Sequence, residues 1–148
     1  MIQRKQTLWL IAAVILMMVA LSTQIGTFNL EGLETGRMYN LWITTEKGEH
    51  NFTTWPLFAI LIFTAIFTSA TIFAYKNRMM QARFCLFNIL LLIGWYVVYG
   101  VMSQVACEGT FRPSLTAALP AVAIVFVWFA RSGVIADEKL VRAADRIR

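Results

Sequence analysis

The sequence predicts an all-α membrane protein, a four-transmembrane-helix up-down bundle with a small extracytoplasmic loop or β-hairpin cap. Three observations predict it. Four apolar runs, near Trp9, Trp55, Phe84 and Ala117, are each fenced by charges or by Trp and Tyr. Crossing a hydrocarbon core of about 30 Å takes roughly 20 apolar residues in a helix, and three of the runs reach or approach that length. Of the 148 residues, 59% are hydrophobic and 14% charged, where soluble domains carry about 25% charged residues. Lys and Arg also collect at alternate helix ends, the distribution that orients a chain in a bilayer. Four spans and their connections use nearly the whole chain, so residues 1–148 form a single domain.

The first span covers residues 7–24, behind Arg4 and Lys5. A secretory signal peptide is the competing reading, with Ala20, Leu21 and Ser22 as its cleavage site. The apolar stretch is long for a signal core, which favours a retained helix. The second span covers residues 55–75, with Trp55 and Tyr75 as interfacial anchors, and Pro56 suits its first turn. The third covers residues 84–106. The fourth, residues 114–130, is the shortest and carries Pro120, whose missing N–H predicts a kink near its outer end. Residues 132–148 continue it as a tail, with Leu140, Ala144 and Ile147 on one face and Glu138 and Arg142 paired at i, i+4 on another.

The cations set the direction. One side holds Arg4, Lys5, Lys76, Arg78, Arg83, Arg131, Lys139, Arg142, Arg146 and Arg148; the other holds Arg37, Lys47 and Arg112. The positive-inside rule places the first set, and both termini, in the cytoplasm. The outer loop is then residues 25–54. Within it residues 38–44 and 51–54 are strand-like, around turn material at residues 46–49, and predict a hairpin over the outer end of the bundle.

Ionisable groups inside spans are the default pointer to function, because each is costly to insert. None lies in the interior of a predicted span. The polar residues there read as interhelical contacts: Thr64, Thr68 and Thr71 along one side of the second span, Asn88 near the inner end of the third, and Gln104 towards its outer end. Ala117 and Ala121 form a small-residue pair that permits close helix approach, and Gly94 and Gly100 offer another helix a place to press. Phe63 with Phe67, Tyr96 with Tyr99, and Trp128 with Phe129 are the aromatics available to line a quinone or lipid pocket.

Cys85 and Cys107 sit near opposite ends of one span, roughly 33 Å apart at 1.5 Å per residue, and so cannot form a disulfide within the chain. With one histidine, His50, no protein-built metal site and no cofactor are expected. His50, Cys107 and Glu108 lie on the outer side, but no nucleophile–base spacing joins them, so an enzyme is not expected. The net charge of +5 is scattered over helix ends, not drawn into a basic stripe, and nucleic-acid binding is not expected.

Three stretches together carry a family resemblance: MIQRKQT at the start, AYKNRMMQARFC at residues 74–85 with NILL at residues 88–91, and DEKLVRAADRIR at residues 137–148. The chain resembles the domain-of-unknown-function 4293 family, small four-span membrane proteins of Bacteroidota, over essentially its full length. The resemblance implies a multi-pass protein of the bacterial inner membrane and transfers no catalytic residue. The expected function is a non-catalytic accessory or scaffold subunit, partnered by membrane lipids and by another protein or its own copies. The alternative is a binder or carrier of a quinone or lipid between the spans. Lys76, Arg78, Arg83, Arg142, Arg146 and Arg148 form a candidate cytoplasmic basic surface, which either touches anionic headgroups or faces a partner.

Overall fold

The computed structural model describes residues 3–106 and 108–147. Cys107 and Arg148 lie outside the described residues, as do the side chains of Arg4 and Tyr75. Four long helices form: α1 (Gln3–Ser22), α2 (Trp55–Phe73), α3 (Arg78–Val105) and α4 (Leu119–Arg146). Leu, Ala, Ile, Met and Phe dominate them. A helix satisfies its own backbone donors and acceptors, which is what a segment deprived of water must do. Each of the four helices is long and apolar enough to cross a membrane.

The buried positions repeat at alternating steps of four and three. They are Gln6, Leu10, Ala13, Met17 and Ala20 on α1, and Leu57, Leu61, Thr64, Thr68 and Thr71 on α2. On α3 they are Gln81, Cys85, Asn88, Leu92 and Trp95, and on α4 Ala123, Val127, Ala130 and Val134. This is the heptad seam of helices packed knobs-into-holes. Each of α1 and α3 packs against both α2 and α4, which closes the ring.

Three contacts set the levels. Gln81 Nε2 donates to the Thr71 carbonyl at 3.3 Å, tying α3 to α2. The Tyr96 hydroxyl donates to the Ala117 carbonyl at 2.7 Å and accepts from the Ala121 N–H at 2.9 Å, tying α3 to α4. Gln6 donates to the Asp137 carboxylate and lies against Gly133, tying α1 to α4. Counting from these ties, Gln6, Thr71, Gln81 and Val134 share the layer nearest the chain ends, here called the tail end. Next come Leu10, Thr68, Cys85 and Ala130, and then Ala13, Thr64, Asn88 and Val127.

The opposite end is closed by a five-stranded antiparallel sheet, which corrects the all-α expectation. Its strands are β1 (Gly26–Leu30), β2 (Leu33–Met38), β3 (Ile43–Thr45), β4 (His50–Asn51) and β5 (Thr110–Pro113), in the order β4-β3-β2-β1-β5. Glu31 and Gly32, at φ 51° and 88°, make the two-residue turn between β1 and β2. Positive φ at both positions matches the twist of the flanking strands. Residues 38–44 are not one strand: the Tyr39 N–H bonds to the Trp42 carbonyl at 2.8 Å, and the chain turns between β2 and β3. The turn at residues 46–49 forms where expected, its Gly48 N–H bonded to the Thr45 carbonyl at 2.8 Å.

Alternating residues Gly26, Phe28, Gly36 and Met38, with Ile25 and Ile43, turn inward onto the bundle. The sheet joins the last turn of α1 to the first of α2, and the last turn of α3 to α4, so neighbouring helices alternate in direction.

Two helix boundaries differ from expectation. α3 begins at Arg78, a full basic stretch earlier than the apolar run. α4 begins at Leu119, after a 3-10 turn at Leu115–Ala118, and runs unbroken to Arg146. Pro120 is therefore in the first turn of α4 and makes no kink, because the N–H it lacks has no intrahelical acceptor there. Away from the core, Ile15, Ile66, Leu90, Val97 and Val125 are exposed around the bundle. Water would not sustain so continuous an apolar surface, and lipid would.

Candidate functional site

The sheet end is tied shut by buried hydrogen bonds. Asn40, fully buried, donates from Nδ2 to the Ala20 carbonyl at 2.8 Å and accepts from Trp95 Nε1 at 3.1 Å. Tyr99 donates its hydroxyl to the Ile25 carbonyl at 2.8 Å, and Thr116 donates to the Gln24 carbonyl. The Trp95 ring stacks on Tyr99, centroids 5.1 Å apart, and Phe111 of β5 sits between Tyr99 and Phe28. Gly26 is needed here for space, since a Cβ would fall 2.2 Å from the Phe111 ring. Asn40 and Trp95 were not singled out from sequence. An Asn between aromatic residues in a loop gives no warning that it is buried.

The other half of the core mixes polar groups with apolar ones. Gln6, Thr64, Thr68, Thr71, Gln81 and Asn88 are all buried there, with Cys85 among them. The three threonines do not bridge helices: each hydroxyl donates to the carbonyl four residues back, at 2.7, 2.7 and 2.8 Å. Gln81, which sequence reasoning passed over, makes the α2–α3 bond. Asn88 is fully buried, and neither its Nδ2 nor its Oδ1 has a hydrogen-bond partner among the described residues. Arg131 Nε is also buried without a partner, within electrostatic range of Cys85. A buried amide with both ends unmet is costly, and such a group is the first place to look for function.

A family model described as Domain of unknown function (DUF4293) matches residues 2–147. The chain belongs to that family. A comparison with curated proteins finds no match. The description of DUF4293 carries no activity, so function in this member rests on the chemistry of its own residues.

The remaining expected sites of this DUF4293 chain fall into separate places. Gln104 is exposed near the end of α3, faces away from the seam, and forms no interhelical bond among the described residues. Ala117 and Ala121 bracket the Tyr96 hydroxyl of α3. Gly94 and Gly100 have open space where a Cβ would go; the close helix approach is at Gly133, where a Cβ would meet Gln6 Cγ at 3.0 Å. The aromatics do not converge. Phe63 and Phe67 cluster with Phe84 and Phe87 across α2 and α3, whereas Trp128 and Phe129 join Trp9 and Phe126 across α1 and α4, on the opposite side of the ring. Lys76 ends the 3-10 turn before α3, Arg78 and Arg83 lie in the first turns of α3, and Arg142 and Arg146 lie on the last turns of α4, all at the tail end. Arg142 pairs with Glu138 at 3.0 Å, the one ion pair these cations make among the described residues.

Proposed function

We propose that the protein is a non-catalytic scaffold subunit of a bacterial inner-membrane assembly, with both termini cytoplasmic and the tail end as its docking surface. The observation that carries this reading is the unbroken length of α4. Its 28 residues extend about 42 Å at 1.5 Å each, against a hydrocarbon core of about 30 Å. The last turns therefore stand clear of the bilayer, and they display Leu140 and Val141, both exposed, beside Arg142 and Arg146. Two exposed apolar side chains edged by charge on a rigid helix fit a groove in another protein.

The test is affinity purification of the full chain, tagged and at native expression, after mild detergent extraction. A partner or a second copy should co-purify in fixed stoichiometry, and Leu140→Ser with Val141→Ser should release it. A chain that always runs alone as one copy sinks the reading. A second reading, a carrier of a quinone or lipid between the spans, draws its support from the unmet Asn88 amide. It predicts a bound small molecule in native mass spectra that is lost in Asn88→Leu.

A further inference from the structure

At the tail end a groove of ≈ 170 Å³ opens between the first turns of α3 and the last turns of α4. Met79, Ala82 and Val134 line its floor with the apolar stems of Arg78, Lys139 and Arg142, whose charged ends lie outside it and make its rim. The α4 residues recur at i, i+4 and i+7 from Ile135, so they share one face of that helix. We propose that this groove binds one anionic glycerophospholipid, the phosphate held by the rim cations and an acyl chain laid along the floor.

Three observations argue for that occupant. The first is charge. The rim holds three cations and one acid, Glu138, which is already engaged by Arg142. Arg78 and Lys139 have no ion-pair partner among the described residues, so an anion would be met by uncommitted donors. A second hollow of ≈ 570 Å³ shares Arg78, Met79 and Glu138 and adds the similarly unpaired Lys76.

The second is depth. Tyr99, in the network that closes the sheet end, and Met79 are 20 residues apart on one helix, about 30 Å. The groove thus falls where the hydrocarbon meets the headgroups. The third is the floor, which Met79, Ala82 and Val134 make apolar, as an acyl chain requires. Cations from segments sixty residues apart in sequence converge here because α3 and α4 are neighbours in the ring. Neither helix alone presents the pair. The site shares Arg142 with the docking surface proposed above, whereas Arg78 and Lys139 belong to the groove alone.

Native mass spectrometry of the delipidated full chain in detergent tests this, with phosphatidylglycerol, phosphatidylcholine of the same acyl chains, and inorganic phosphate as probes. One phosphatidylglycerol should be retained in preference to phosphatidylcholine. Millimolar phosphate should neither bind detectably nor displace it, since the floor contributes with the rim. Arg78→Gln with Lys139→Gln should weaken retention about tenfold. Arg83→Gln, an exposed cation on the same helix turn but off the rim, should leave retention unchanged. Equal retention of both lipids would overturn the proposal. So would an unaltered double variant, or an equal loss with Arg83→Gln, which would reveal diffuse charge in place of a site.

Discussion

Asn88 shows how much one side chain decides in a small bundle. Its layer also holds Ala13, Thr64 and Val127, and Thr64 spends its hydroxyl on the Ile60 carbonyl, so the amide is left with apolar neighbours. Asn88→Leu keeps the branching and the number of heavy atoms, and it removes two orphaned polar atoms. It should stabilise the detergent-solubilised protein by about 1–3 kcal/mol, read as a higher midpoint of thermal unfolding. A lower midpoint would mean that the amide has a partner in the membrane, as the carrier reading requires. Asn40 is the opposite case, because both of its bonds are made. Asn40→Leu strands the Trp95 N–H and the Ala20 carbonyl and should cost about 2–4 kcal/mol, with the Trp95 fluorescence shifted as its hydrogen bond is lost. A variant as stable as the parent would show that the sheet end is not held by this network.

At the scale of elements, Pro120 and Gly133 lie on the same helix and have opposite consequences. Pro120→Ala restores an N–H that no helical carbonyl awaits, so stability should move by less than about 1 kcal/mol. Gly133→Leu pushes a side chain into Gln6 where α1 and α4 are closest, and should destabilise by about 1–3 kcal/mol. Denaturant titration of both variants checks the pair; a costly Pro120→Ala would reinstate the kink. The helices themselves were legible because a chain surrounded by lipid has almost no alternative, and four apolar runs announce it. Their ends were less so. The start of α3, Arg78 to Arg83, is polar by composition and helical by continuation, since nothing between Asn77 and Val105 breaks the pattern. β5 was missed for a different reason. Thr110–Pro113 is short and has no strand signal of its own, and it pairs with β1 more than eighty residues away. Gly109 was the available clue: at φ 119° it lies so near the Asn29 carbonyl that a Cβ would fall 2.6 Å away. The groove was half legible. Its cations were read as a surface, but the pairing of Arg78 with Lys139 needed the ring order of the helices.

For the whole molecule the decisive property is the asymmetry of its two ends. The sheet end exposes Glu31, Glu34, Glu46 and Glu49 with Arg37, Lys47 and Arg112, while the tail end holds every other described cation. Short connections rich in Lys and Arg resist translocation, and acids contribute little to that choice. The first connection after α1 is poor in cations and the turn after α2 is dense in them, so successive helices agree on one orientation. In a Cys107→Ser background, with Cys85 buried, single cysteines at the two ends read it directly. A membrane-impermeant maleimide should label Glu46→Cys from the periplasmic side and leave Asp145→Cys untouched until the inner membrane is broken. Labelling of Asp145→Cys alone in intact spheroplasts would invert the bundle. It would also remove the scaffold reading, because a tail helix facing the periplasm could not dock a cytoplasmic partner. The sheet, held to the bundle by Asn40 and Tyr99, closes one end. Exposed apolar and basic surface that can exchange partners is left at the other end.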